Sequence, residues 1–365
     1  MYNEKMLYFE NLKNKYIEFF IEENPELQLA MEECSHSENE HINPYHMEGS
    51  VWTHTMLVVN EAVDFGNRNV ILAALLHDIG KVEAREVVEK DDGIRVRFTN
   101  HASASVFMSF DILKEFQKTV NFDVITDDDI IEIINLIALH DIFFSSDNAE
   151  FIASKLYGFD NKFINSLLQL ILSDNRGRIC DNANNNIENL INDVLNIVGS
   201  FSPVHSDTNK TVEFLVGVPY VGKSYYTNKV LTDNPTVISR DNIVMELGGS
   251  DYNKAFSTVN QQEVDTLLMK RYNDAIDDKN VHHIIIDMTN MSKKSRKKFL
   301  SDKVYRNCNV KATVFYIGNK ELDKRIDIRS DKVIPEAVMR RFIFSYTMPM
   351  FDEVDEVSFR LAKSL

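Results

Sequence analysis

The sequence predicts a multidomain protein: an all-α domain over residues 1–197, a linker over 198–210, and an α/β domain with a parallel sheet over 211–365. Three observations predict it. Apolar residues recur at helical spacing through the first half, while after residue 210 short β-branched runs alternate with longer helical stretches. Between the two, Gly199 to Asn209 mixes turn formers with polar residues. A chain of 365 residues with 44% hydrophobic content has enough apolar material for two cores of ordinary size.

The elements follow in order. Val51 to Phe65 carries apolar residues at helical spacing, and Val70 to Leu76 is an apolar helix running into His77. Glu89 to Phe98 reads as a hairpin because Asp92-Gly93 sits between alternating residues. Asp127-Asp128-Asp129 makes an acidic start for the apolar helix Ile130 to Leu139, favoured by the positive end of the helix dipole. In the second half the predicted strands are Thr211 to Val216, Thr236 to Ser239, His283 to Asp287 and Val310 to Ile317. There is no internal repeat, and the Asn-rich stretch Asn182 to Asn186 is too short to count as low complexity.

The net charge of −16 is unevenly placed, at −19 for residues 1–210 and +3 for residues 211–365. A polyanion therefore docks more readily on the second half, or on the first only where bound cations offset its carboxylates. Cys34, Cys180 and Cys308 are far apart and form no CxxC pair, so neither a disulfide framework nor a thiolate zinc site is indicated, and a reducing compartment fits. No basic segment at the start leads into an apolar core, and no run approaches the roughly 18 apolar residues of a membrane span. The expectation is a soluble cytoplasmic protein with no membrane partner.

Residues Gly217-Val218-Pro219-Tyr220-Val221-Gly222-Lys223-Ser224 form a phosphate-binding loop between a strand and a helix expected to begin at Ser224. Backbone N–H groups of such a loop point at the phosphates of a nucleoside triphosphate, a Lys neutralises them, and a Ser hydroxyl reaches Mg²⁺. Gly217, Gly222, Lys223 and Ser224 are the expected contacts. Strand ends on this side of a parallel sheet face the ligand crevice, so Asp241 is placed either to take a proton from an attacking hydroxyl or to cap the next helix. Asp287 falls where it can act near Mg²⁺. Arg325 and Arg329 lie four apart, as a helical lid that stabilises transferring charge or as a solvated pair. Lys293 to Lys298 is a basic run, suited equally to a nucleic-acid backbone and to a solvated helix face.

This order, phosphate loop, Arg240-Asp241-Asn242, Asp287-Met288-Thr289-Asn290, then Lys324-Arg325 through Arg329 and Lys332-Val333-Ile334-Pro335, resembles the 5'-hydroxyl polynucleotide kinase domain over residues 211–345. The resemblance implies donor handling by Lys223 and Ser224 with ATP or another NTP and Mg²⁺, general-base catalysis by Asp241, and lid arginines at Arg325 and Arg329. One departure stands out: Val244 occupies the position at which such kinases usually carry an acceptor-binding Arg.

In the first half, His54, the pair His77-Asp78 within His77-Asp78-Ile79-Gly80-Lys81, and Asp174 supply imidazoles and carboxylates of the kind that converge on divalent ions, which acidify a water and clamp phosphoryl oxygens. The set resembles the HD phosphohydrolase superfamily. That resemblance implies a first metal held by His54, His77, Asp78 and Asp174, a second by His101 and His140 with Asp78 bridging, and a phosphate contact from Lys81. Mn²⁺, Ni²⁺ or Co²⁺ are the implied ions. His46 and Glu48 precede the first ligand and are expected to line the pocket, whereas His36 and His41 carry no such support.

The joined domains resemble bifunctional end-healing enzymes of bacterial RNA repair, which implies RNA or DNA ends as substrates, removal of a 2',3'-cyclic or terminal phosphate, 5'-OH phosphorylation, and a separate RNA ligase as partner. Two other readings stay open: a nucleoside or small-molecule kinase fused to an HD nucleotidase, and a nucleotide-sensing regulator without turnover.

Overall fold

The computed structural model describes residues 2–39, 42–90, 93–180, 186–201, 209–231, 234–329 and 332–362. They fall into two units, Met1–Phe201 and Ser202–Leu365. Of the expected linker over 198–210, residues 202–208 lie outside the described residues, and Val198 still ends a helix. His41 also lies outside them.

The first unit is helical around one hairpin: α1 Tyr2–Glu23, α2 Pro25–Glu33, α3 Val51–Val63, α4 Arg68–Leu76, α5 Lys81–Ala84, β1 Arg85–Lys90, β2 Gly93–Phe98, α6 His101–Thr119, α7 Asp127–Leu139, α8 Ala149–Leu156, α9 Asn161–Arg176 and α10 Ile187–Val198. Ser50 starts α3 by accepting the Thr53 N–H at 3.1 Å. Beyond its first turn helix α4 has no solvent face: every side chain from Val70 to Leu76 is fully buried, packed among α3, α7 and α9. Its apolar run thereby carries His77 and Asp78 into the middle of the unit. The acidic start of α7 is a capping box, in which Thr126 Oγ1 accepts the Asp129 N–H at 3.1 Å and Asp129 Oδ2 accepts the Thr126 N–H at 2.9 Å. The hairpin differs from expectation. Its strands start at Arg85, and Lys90 pairs with Gly93, so Gly93 (φ +125°) opens β2 instead of centring the turn. Positions 91 and 92 lie outside the described residues.

The second unit comprises β3 Thr211–Val216, α11 Lys223–Tyr225 running into a π-helical turn Tyr226–Val230, β4 Thr236–Ser239, α12 Arg240–Gly248, α13 Tyr252–Thr258, α14 Gln261–Asp277, β5 His283–Asp287, α15 Lys293–Lys297, α16 Asp302–Asn307, β6 Asn309–Tyr316, α17 Asn319–Ile328, α18 Glu336–Phe344 and β7 Glu356–Leu361. The five strands form one parallel sheet in the order β4-β5-β3-β6-β7. Strand β3 is central, with β5 on one side and β6 on the other, so the loop after it opens where the chain direction across the sheet switches. Pairing sets Leu215 against Asp287 and Ser239 against Asp287, which lines up the phosphate loop, Asp287 and Asp241 along one sheet edge.

Four expectations are corrected here. The sheet has a fifth strand, β7, whose half-exposed edge sequence Glu-Val-Ser-Phe-Arg-Leu gave no apolar run. The helix after the loop is one α turn followed by a π turn. Arg329 is not on the helical face of Arg325, because α17 ends at Ile328 and Arg329 turns extended at φ −96°, ψ 110°. Within the basic run, Arg296 is fully buried and Lys293 pairs with Asp352 at 2.6 Å, so only Lys294, Lys297 and Lys298 are exposed.

A candidate metal centre and a candidate nucleotide site

In the first unit, five of the expected ligands gather around Asp78. His54 Nε2 lies 3.6 Å and His77 Nε2 3.2 Å from Asp78 Oδ2, while His101 Nε2 and His140 Nε2 lie 3.2 Å and 3.7 Å from Asp78 Oδ1. Asp174 Oδ1 is 3.1 Å from His54 Nε2. The carboxylate of Asp78 thus has one oxygen toward each of two ligand groups, His54-His77-Asp174 and His101-His140.

The second ring nitrogen of His77, His101 and His140 is held by a backbone carbonyl, and that of His54 faces a carboxylate. His77 Nδ1 donates to Ala74 O at 2.8 Å, His101 Nδ1 to Phe98 O at 3.0 Å and His140 Nδ1 to Ile137 O at 2.7 Å. His54 Nδ1 lies 2.8 Å from Glu48 Oε1. His77, His101 and His140 therefore turn their Nε2 lone pairs inward, the tautomer a metal needs, while His54 Nε2 lies against Asp174 with Glu48 beside its Nδ1. His101 Nε2 and His140 Nε2 stand only 3.1 Å apart. Two lone pairs at that distance beside an anionic oxygen call for a cation. His77 Nε2 is buried and makes no hydrogen bond of normal geometry. On these grounds the residues fit two divalent ions.

The electrostatics agree. Burial alone raises a carboxyl pKa, but His77, Lys81 and His101 outweigh it at Asp78, and Arg178 and His54 outweigh it at Asp174, so both stay well below their usual value. Burial, with His101 and His77 nearby, pushes the His140 pKa down to about 4, which keeps it neutral.

Around this cluster stand residues that the sequence singled out weakly or not at all. Lys81 Nζ is 2.7 Å from Asp78 Oδ2 and 3.2 Å from His36 Nε2. His36, which nothing in its sequence neighbourhood supported, is fully buried; its backbone N–H bonds Gly49 O at 2.9 Å, a pairing of residues distant in sequence. It stacks on His46, with ring centroids 4.3 Å apart and planes at 8°. Glu48 Oε1 accepts from His46 Nδ1 at 2.7 Å as well as facing His54, and its other oxygen accepts the Ile179 N–H at 3.1 Å. Arg178, two residues beyond the end of α9 and four after Asp174 in sequence, donates to Asp174 Oδ2 at 2.6 Å.

In the second unit the phosphate loop is built as its sequence requires. Gly222 sits at φ +111°, a region open to glycine, and an added Cβ at Gly217 would meet Val221 Cγ1 at 2.9 Å. Lys223 Nζ folds back onto the loop, donating to Gly217 O at 2.8 Å and Val218 O at 2.9 Å; α11 begins at Lys223, one residue before the expected start, and Ser224 is exposed in its single turn. Asp287 stands at the end of β5, where burial raises its pKa and Lys223 opposes the shift. Below it, the buried Arg296 holds Asn290 O at 2.9 Å and Met291 O at 3.3 Å, and its charge is met by Glu353 at 2.6 Å. The basic run therefore contributes a brace to the loop after Asp287.

Asp241 does not cap α12; Ser239 does, accepting from the Asn242 N–H. The Asp241 carboxylate instead accepts from Tyr252 Oη at 2.8 Å and Lys332 Nζ at 2.5 Å. Arg325 Nη1 donates to Tyr220 O at 3.1 Å and Val221 O at 3.0 Å, which puts it on the phosphate loop, and the Arg329 guanidinium lies 5.8 Å from the Tyr220 ring centroid. Tyr220 in turn donates its hydroxyl to Lys332 O. The side chain of Val244 is fully buried and faces no crevice.

Two family models match the chain. One, described as an HD domain, covers residues 51–169 and so includes His54, His77, Asp78, His101 and His140 but stops short of Asp174. The other, described as an AAA domain, covers residues 212–349, from the central strand through α18. The chain thus joins an HD hydrolase domain to a P-loop kinase-like domain. No curated protein matches it. Among the described residues no helix is long and apolar enough to cross a membrane.

Proposed function

We propose that this chain heals broken RNA ends, its P-loop domain phosphorylating 5'-OH termini with an NTP and its HD domain removing 2',3'-cyclic or terminal phosphate. The observation that supports it best is the pairing, in one chain, of a carboxylate beside a phosphate loop with a two-group His/Asp cluster: one half adds a phosphoryl group, the other removes one. A break leaving 2',3'-cyclic phosphate and 5'-OH ends needs both.

In the kinase half, the phosphate-loop N–H groups and Lys223 hold the donor phosphates, and Ser224 and Asp287 would hold Mg²⁺, which neutralises charge on the transferred group. The acceptor hydroxyl displaces Lys332 or Tyr252 at Asp241 and gives its proton to the Asp241 carboxylate as its oxygen attacks the γ-phosphorus. The bond from γ-phosphorus to the bridging oxygen breaks and NDP leaves. Arg325 and Arg329, near Tyr220, meet the charge on the transferring group.

In the HD half, His54, His77, Asp78 and Asp174 would hold one divalent ion and His101, His140 and Asp78 a second, and the pair would supply a water of lowered pKa and a clamp for phosphoryl oxygens. Lys81 and Arg178, each already against a ligand carboxylate, flank the cluster with positive charge for the phosphate.

The buried Val244 favours a second reading, in which the acceptor is a nucleoside or other small molecule. One experiment separates the two. An RNA oligonucleotide with 5'-OH and 2',3'-cyclic phosphate ends is incubated with labelled ATP and Mn²⁺, Ni²⁺, Co²⁺ or Mg²⁺, beside free nucleosides. The expected result is label at the oligonucleotide 5' end and loss of the 3'-end phosphate. Labelling of nucleosides alone, or an unchanged 3' end with every metal, overturns the corresponding half of the proposal.

A further inference from the structure

Any hydroxyl attacking from Asp241 brings the rest of its molecule against the residues beside that carboxylate. Position 244 contributes nothing there, being fully buried. What the fold sets beside Asp241 instead is α13. Tyr252 and Phe256 are one turn apart on its surface, with ring centroids 5.9 Å apart and planes at 27°. Tyr252 is tied to Asp241 through its hydroxyl at 2.8 Å. Lys332 Nζ lies 4.2 Å from the Tyr252 ring centroid, and the Arg240 guanidinium, held by Gln261 at 2.6 Å and Asp265 at 3.1 Å, lies 5.9 Å from that of Phe256.

Packing does not explain Phe256. Helix α13 seats on α12 through small residues: Ala255 is fully buried, and a Cβ on Gly248 would meet the Ala255 Cβ at 2.6 Å. Phe256, the next residue round the helix, is 45% exposed. An exposed aromatic costs solvation and is used where a flat apolar ligand covers it. Stacked rings flanked by a Lys and an Arg, tethered to the carboxylate that takes the hydroxyl proton, have the chemistry of a single-stranded nucleic-acid site: π-faces for a base and cations for its backbone.

We infer that the 5'-terminal nucleobase of the acceptor strand stacks on Phe256 and Tyr252, with Lys332 supplying charge to the adjoining phosphate once the hydroxyl has taken its place at Asp241. This rests on the polynucleotide-kinase reading above and deepens it: acceptor affinity comes from the base, and the acceptor site tolerates all four bases because each has a π-face.

The test compares 5' phosphorylation of two oligonucleotides, one ending in an ordinary 5' nucleoside and one whose terminal residue is abasic, by the wild-type protein and by Phe256→Ala and Phe256→Trp. Removing a stacking partner weakens binding about tenfold or more. In the wild type the abasic end is expected to raise KM for the oligonucleotide by that factor with little change in kcat. Phe256→Ala is expected to raise KM for the ordinary end equally and to leave the abasic end unaffected, with KM for ATP unchanged; Phe256→Trp is expected to restore the ordinary KM. Equal KM for the two ends in the wild type, or an unaltered KM in Phe256→Ala, overturns the stacking site while leaving the kinase assignment standing. A wild type that labels nucleosides but neither oligonucleotide overturns both.

Discussion

At the scale of single residues, what decides the metal centre is which nitrogen each histidine can offer. Three Nδ1 atoms are fixed by backbone carbonyls of Ala74, Phe98 and Ile137, built into the helix ends and the strand end that carry the rings. His54 lacks such a carbonyl and depends on Glu48. That dependence makes Glu48 the one orienting partner that a side-chain substitution removes. Glu48→Ala is expected to lower Mn²⁺ affinity about 10- to 100-fold, the usual effect of losing a ligand's hydrogen-bond partner. Titration of the metal-free protein reads it directly, and an unchanged affinity contradicts the assigned role.

At the scale of elements, the centre exists because short segments approach closely. Gly80 is the tightest point: an added Cβ would stand 2.4 Å from both His101 O and Ser105 N on the backbone of α6. Gly80→Ala is expected to destabilise the first unit by about 1–3 kcal/mol through overpacking and to push His101 away from Asp78. Thermal unfolding measures the first effect, and loss of the second bound ion per chain measures the other. The N-terminus of α7 offers a pH-dependent case. Burial works against ionised Asp129, but hydrogen bonds from Thr126 and Asn69 and the charge of Arg68 hold its pKa down at about 2. A carboxyl whose folded pKa is depressed contributes stability above its unfolded value near 4, and that contribution fades as pH falls through about 2. Asp129→Asn is therefore expected to cost about 1 kcal/mol at neutral pH. The difference from wild type should shrink between pH 4 and pH 2 in denaturant titrations; a constant difference would mean that the charge is irrelevant.

At the scale of the whole molecule, the two halves differ in net charge, −19 for residues 1–210 against +3 for residues 211–365, and the proposed function gives each its own chemistry. Asp78→Ala is expected to abolish phosphate release from RNA 3' ends and leave 5' phosphorylation within about twofold, and Lys223→Ala to do the reverse, because each removes the charge on which its own site turns. Paired assays on one RNA substrate check this. A kinase rate that falls with Asp78→Ala would show that the sites are coupled. Since Arg296 and Lys293 are used within the fold, the +3 of residues 211–365 leaves little surplus for gripping a long backbone, which is in keeping with recognition concentrated at a strand end.

Sequence by itself determined what local chemistry determines. Helical spacing in Val70 to Leu76, the strand-loop-helix around Gly217 to Ser224, and four strands of β-branched residues each follow from neighbours a few positions away, and the histidines and aspartates at strand and helix ends marked both sites. Only the tertiary structure decided which side chains complete those sites. His36 reaches Lys81 through a backbone pairing with Gly49, and Lys332 meets Asp241 across 91 intervening steps of chain. Edge strand β7 gains its partners only by lying beside β6. Arg296 and Val244 looked like a surface charge and a missing contact, and burial made one a brace and the other a core residue. The physical reason is the same in each case. Periodicity and turn chemistry act between near neighbours, whereas desolvation and hydrogen-bond partners depend on which distant segments the packed core brings together.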